Sequence, residues 1–241
     1  MRGMKYPKMI LFDYGRTLAY EPGWDSLRGN AALLRYAVKN DGGYTAEDVG
    51  RVAKRIDAYV KDIRNSGYEI TGGQFNRLLY EYLGIAFSLT PLEQETVFWD
   101  AASAGEAMPG AAEMLACIKA KGIRSAVVSN ILWSGEALRK RLDRLLPGNS
   151  FEFILASSDY MLRKPQPMLF ELALRKAGLT ASEVWFCGDN PQADIEGAVA
   201  AGMFPVWFDS DVDDREGGDK PAPRCACPRA RRASAARRRD F

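Results

Sequence analysis

Four short stretches of the chain carry side chains that could act together on a phosphoryl group. Asp13 ends the apolar run Met9-Ile10-Leu11-Phe12, and Ser129-Asn130 ends Val127-Val128. Lys164 precedes Pro165, and Gly188-Asp189-Asn190 closes a fourth run, with Asp194 one turn further on. A carboxylate nucleophile, a hydroxyl, an ammonium and further carboxylates are what metal-assisted phosphoryl transfer requires. Asp13 would attack phosphorus to give an aspartyl-phosphate, while Mg²⁺ held by oxygen ligands offsets the repulsion between carboxylate and phosphate. The Ser129 hydroxyl and nearby backbone N–H groups would bind the non-bridging oxygens, and Lys164 would neutralise the gathered charge. Singly, each residue has an ordinary reading as a turn, cap or solvated charge. Their arrival together at strand ends is what points to a site.

That arrangement needs a parallel sheet whose C-terminal edge collects all four stretches, since the crevice outside the carboxyl ends of such strands is where ligands bind. Met9 onward reads as a buried strand. From Met108 the pattern alternates helix and strand: helix 109–121, strand 123–129, helix 134–146, strand 151–156, helix 167–177, strand 184–187, helix 192–201 and strand 204–208. The expected fold class is therefore α/β, a three-layer core with a parallel five-stranded sheet. Between Leu18 and Met108 the spacing is helical, with helices expected over 25–40, from Thr45, over 74–83 and from Thr90-Pro91. Phe75, Tyr80, Tyr82, Phe98 and Trp99 recur at helical spacing and are expected to form the core of this insertion.

Composition narrows the chemistry. The 241 residues are 47% hydrophobic and 27% charged, which suits a soluble protein with a sizeable core, and no apolar run is long enough for a membrane span. A cytoplasmic location is the expectation. There is no histidine, so an imidazole-based serine or cysteine hydrolase is excluded and acid-base work falls to carboxylate, lysine or tyrosine. Four cysteines offer neither a disulfide framework nor zinc-finger spacing. From Arg215 onward nine basic residues face three acidic ones, whereas the preceding body is mildly acidic. This basic tail, 212–241, has almost no large apolar residue and is expected to be disordered. No aromatic residue interleaves with its arginines before Phe241, so nucleic-acid contact is not expected.

The chain resembles the haloacid dehalogenase-like hydrolase superfamily. The resemblance rests on Phe12-Asp13-Tyr14-Gly15-Arg16-Thr17-Leu18, Val127-Val128-Ser129-Asn130, Arg163-Lys164-Pro165-Gln166-Pro167 with Phe170, and Gly188-Asp189-Asn190-Pro191-Gln192-Ala193-Asp194-Ile195 with Gly197-Ala198. It implies a Rossmann-like core over 1–18 and 108–211, and an α-helical cap over 19–107 that closes on the substrate. It also implies Mg²⁺ bound by the side chains of Asp13 and Asp189 and by the carbonyl of Gly15, with Asp194 bound directly or one shell out. Asp13, Ser129 and Lys164 are the expected catalytic residues. Ser129, Asn130 and Arg16 are the expected substrate contacts.

One position departs from the pattern. Phosphatases of this family usually carry a second Asp two residues after the nucleophile, which protonates the leaving oxygen, and here that position is Gly15; Arg16 follows where Gly is usual. Loss of a general acid costs about two to four orders of magnitude on a poor leaving group and less on a good one. The leading expectation is a Mg²⁺-dependent phosphatase or phosphotransferase for a small phosphorylated metabolite. The alternatives are a weak or inactive member that binds a phosphorylated ligand or protein partner, and a dehalogenase-type hydrolase.

Overall fold

The computed structural model describes residues 6–209; the expectation of disorder over 212–241 lies outside them. Along the chain run β1 (Met9–Phe12), β2 (Ala19–Tyr20), α1 (Ser26–Leu34), β3 (Ala37–Asn40), α2 (Ala46–Asn65), α3 (Gly72–Leu83), β4 (Ile85–Phe87) and α4 (Pro91–Ala102). There follow β5 (Glu106–Ala107), α5 (Ala111–Ala120), β6 (Arg124–Ser129), α6 (Gly135–Leu145), β7 (Phe151–Ala156), α7 (Ser157–Tyr160), α8 (Pro167–Ala177), β8 (Val184–Gly188), α9 (Gly197–Ala200) and β9 (Phe204–Trp207).

Five strands pair in parallel in the order β7-β6-β1-β8-β9, as the alternation of elements requires. β1 is central because it is buried on both faces. Met9 and Leu11 join Val128, Leu169, Phe170 and Phe186 on one side, while Phe12 joins Val127, Leu138 and Leu142 on the other. A side chain fully buried in this way contributes roughly 1.5–3 kcal/mol relative to exposure, so the central strand anchors both layers. The chain leaves β1 towards β6 and β7, then crosses back to β8 and β9. The strand order thus reverses at β1, the place where a crevice opens at the sheet's carboxyl edge.

The segment between β2 and β5 forms a third cluster around Leu33, Val49, Ile56, Val60, Phe75, Leu79 and Tyr80. Its helices begin where the sequence supplies reciprocal caps: Thr45 with Asp48, Thr71 with Gln74, and Thr90 with Glu93. Two expectations are corrected here. The helix expected to run to Asn40 stops at Leu34, and Ala37–Asn40 pairs antiparallel with Ile85–Phe87, so the segment is not purely helical. Tyr82 is 63% exposed, and Trp99 packs with the sheet-face cluster rather than within the insertion. The causes differ: a short strand such as Ala37–Asn40 finds its partner only in residues remote along the chain, and helical periodicity marks a buried face without saying which neighbour covers it.

Candidate active site

Asp13 leaves the end of β1 with its N–H bonded to the carbonyl of Cys187 in β8 (2.9 Å), so the ladder itself sets the carboxylate beside the β8 terminus. Asp189 follows that terminus, and its carbonyl accepts from Trp207 Nε1 at 3.0 Å. Asn190 then turns the chain: its side chain accepts from the N–H groups of Gln192 (3.0 Å) and Ala193 (2.9 Å), and its own N–H donates to Asp194 Oδ2 (3.0 Å). A Cβ on residue 188 would fall inside van der Waals contact with the Asp194 side chain, so Gly188 is what lets Asp194 come this close.

The result is a group of three carboxylates. One oxygen each from Asp13, Asp189 and Asp194 lie within 4.8 Å of one another, and Asp194 is fully buried. Lys164 enters from the loop after α7, with Nζ 2.7 Å from Asp13 Oδ1, 2.6 Å from Asp194 Oδ1, and 5.1 Å from the centre of the Phe186 ring. Burial by itself would lower the pKa of this amine, but Asp13 and Asp194 outweigh it and raise the value above that of an ordinary lysine. Asp189 is pushed up to about 6, chiefly by burial and then by the negative charges of Asp13 and Asp194; Arg16 partly opposes this. The Arg16 Nε lies 3.9 Å from Asp189 Oδ2, on a half-exposed side chain. One ammonium and one half-exposed guanidinium do not balance three carboxylates. An all-oxygen, anionic donor set of this kind suits a hard divalent cation such as Mg²⁺.

Ser129 and Asn130 arrive from β6. The register Phe12↔Val127 puts Ser129 one residue beyond the level of Asp13, where it is buried. The Asn130 amide is engaged with Lys164: it accepts from the Lys164 N–H at 2.7 Å and donates to the Lys164 carbonyl at 2.9 Å. Gly15 carries no positive φ, and the space where a Cβ would stand is open, so no steric need for glycine exists there. Tyr14 turns away from the carboxylates. Its hydroxyl donates to Glu21 Oε1 at 2.6 Å and accepts from Arg141 Nε at 3.1 Å. Burial first, and Glu21 second, push this phenol far above its ordinary value, so Tyr14 does not replace the missing acid.

Two residues of this region were not singled out from sequence. Thr17 is buried with its hydroxyl unpartnered, and its signal was present in the stretch Asp13 to Leu18. Arg141 had no such signal, because its partners lie far away in the chain. Among the described residues no helix is long and apolar enough to cross a membrane.

Residues 94–208 match the family described as haloacid dehalogenase-like hydrolase. The phosphoserine phosphatase of Thermus thermophilus is 34% identical over 42% of this chain, which spans only 40% of that protein's length. The ribulose-1,5-bisphosphate 5-phosphatase of Halopiger xanaduensis is 27% identical over 88% of this chain and 90% of its own. In overall fold the chain is similar to the 2-haloacid dehalogenase of Pseudomonas syringae pv. Tomato, with a TM-score of 0.56 and 22% identity over 87% of this chain and 92% of that one.

Proposed function

We propose that this chain, whose residues 94–208 match the haloacid dehalogenase-like hydrolase family, is a hydrolase of that kind: a Mg²⁺-dependent phosphatase or phosphotransferase of the cytoplasm, acting on a small phosphorylated metabolite through an aspartyl-phosphate. The observation that carries this reading is the Lys164 ammonium 2.7 Å from Asp13, within a group of three carboxylates held to 4.8 Å.

Asp13 and Asp189, with the carbonyl of Gly15 and with Asp194 bound directly or one shell out, would hold Mg²⁺, which when bound supplies the charge that lets an anionic nucleophile approach an anionic ester. An Asp13 oxygen forms the new bond to phosphorus as the ester P–O bond breaks, and the leaving oxygen takes that electron pair. Water then releases inorganic phosphate from the acyl phosphate and restores the Asp13 carboxylate. Lys164 keeps its proton throughout and offsets the charge at Asp13 and on the phosphoryl oxygens. Ser129 donates to one of those oxygens. Asn130 acts through Lys164, whose backbone it spans, and the Arg16 guanidinium meets the substrate at the exposed side of Asp189. The helices of 19–107 serve as the cap.

With Gly15 in place of an acid, the leaving group must depart as an anion, which favours aryl and acyl phosphates over alkyl ones. The lack of a carboxylate at position 15 also supports a second reading, a weak or inactive member that binds a phosphorylated ligand. Phosphate release from p-nitrophenyl phosphate, with and without Mg²⁺, in wild type and Asp13→Asn decides between them. The first reading expects metal-dependent turnover that Asp13→Asn abolishes. Turnover that survives Asp13→Asn excludes the covalent route, and an inert wild type favours the binding role.

A further inference from the structure

The loop between α2 and α3 reaches across to the segment that delivers Lys164. The Glu69 N–H donates to the Met161 carbonyl at 3.0 Å, the Arg163 N–H donates to the Gly67 carbonyl at 3.0 Å, and Tyr68 and Leu162 face each other in an antiparallel bridge between them. At the centre of this contact the Glu69 side chain is completely buried. Its Oε1 accepts from Arg64 Nε at 2.9 Å and its Oε2 is paired with the Arg163 guanidinium, so the carboxylate has one arginine from its own segment and one from the residue next to Lys164. Glu69 Oε2 also lies 3.3 Å from Ser157 Oγ, which in turn accepts from the Ile131 N–H at 2.9 Å. Glu69 therefore ties together the segment carrying Lys164 and the segment that follows Ser129 and Asn130.

We propose that Glu69 is a positioning residue: by pairing with Arg163 it makes the seating of the helical insertion and the placement of the Lys164 ammonium one event. The inference rests on the phosphatase reading for its effect on turnover, but not for its effect on the structure. A carboxylate that only filled space would be replaceable by its amide. A carboxylate that pairs two guanidiniums is not, because an amide leaves at least one of them without a charge partner in a buried contact. Separation of the bridge would free residues 161–163 and let Lys164 drift, and misplacement of about 1 Å costs on the order of 10²-fold in rate.

The test uses the full chain as Glu69→Gln and, because a buried variant can fail to fold, Arg163→Gln, whose side chain is 22% exposed. Amide hydrogen exchange of the protein without substrate is read alongside kcat and KM for p-nitrophenyl phosphate with Mg²⁺. Both variants should expose the amides of Glu69 and Arg163 to exchange at least about 10-fold faster, and should lower kcat about 10- to 100-fold with KM within about threefold. The double variant should be no worse than Glu69→Gln alone, since the contact that Arg163→Gln breaks is already lost there. Unchanged exchange in a folded variant overturns the proposal whatever the activity. A rise in KM alone, with kcat and exchange preserved, also overturns it. A wild type that releases no phosphate, yet shows the exchange differences, overturns the phosphatase reading and leaves the coupling of the two loops supported.

Discussion

The side-chain amide of Asn130 spans Lys164, accepting from its backbone N–H at 2.7 Å and donating to its backbone carbonyl at 2.9 Å. Two loops that lie far apart in the chain are thereby held in register immediately behind the ammonium that faces Asp13. Asn130→Ala leaves both backbone groups unpaired, at a cost of about 1–3 kcal/mol for a buried group. The expected result is a loss of stability of that size in urea titration and a fall in kcat of at least about 10-fold. Full activity in a destabilised variant would show that Lys164 does not need this brace.

At Gly15 the backbone and the surrounding space both admit a side chain. Gly15→Asp should therefore supply the absent acid and raise turnover of glycerol phosphate by about 10²-fold or more, with a much smaller gain on p-nitrophenyl phosphate. Wild type should prefer the aryl ester. Equal rates on the two esters in wild type would remove the argument.

A cation that binds only the folded protein stabilises it by mass action, about 2.7 kcal/mol at a hundredfold excess over Kd. Mg²⁺ should accordingly raise the melting temperature, chelation should reverse the rise, and Asp189→Asn should abolish it. The measurement needs no substrate, so it tests the carboxylate group independently of catalysis.

Arg141 lies buried over the Trp99 ring, 4.4 Å from its centre, and pairs with Glu21 and with Asp100 (2.7 Å) while donating to the Ser103 carbonyl (2.8 Å). These partners flank the points where the chain enters and leaves the insertion. Arg141 is buried but its carboxylate partners keep access to water, so Arg141→Met should lose about 1.5–3 kcal/mol in denaturant unfolding, the range for hydrogen bonds to charged groups. Arg141→Lys should rescue little, because a single ammonium cannot reach all of these acceptors at once.

Glu95, on α4, accepts from the Ser134 N–H (3.1 Å) and hydroxyl (2.5 Å) at the start of α6. Burial raises its pKa most, Asp159 and Glu136 add to the rise, and the Ser134 bonds oppose it. A proton held more tightly in the folded than in the unfolded chain stabilises below the unfolded value, and that benefit is lost as pH climbs through the folded one. Glu95→Gln should thus be more stable than wild type at neutral pH, with the difference shrinking as pH falls towards the ordinary glutamate range. Thermal melts across pH decide it, and a variant less stable at pH 7 would contradict the sign.

How much of this was legible along the chain differs by element. The strand running up to Asp13, the reciprocal cap at Thr45, the helix start at Thr90-Pro91 and the strand running up to Gly188 were readable because each depends on neighbours within a few residues, whereas the cap at Thr71 went unread and its helix begins earlier than expected. The pairing of Ala37–Asn40 with Ile85–Phe87 was not, since two short edge strands have no partner until the helices between them pack. Likewise the stretch around Lys164 showed that an amine would stand near the carboxylates, but nothing local said that Asn130 would grip its backbone or that Glu69 would hold Arg163.

Residue type and short-range spacing determined which chemical groups this protein possesses, where its strands end, and that an acid is absent at position 15. Tertiary structure alone decided how three carboxylates come to share one small volume with a single ammonium, and which distant side chains steady them. The division follows from physics: caps, turns and strand burial are set over a few residues, whereas a charge cluster exists only once the sheet has closed and water has been driven from between its members.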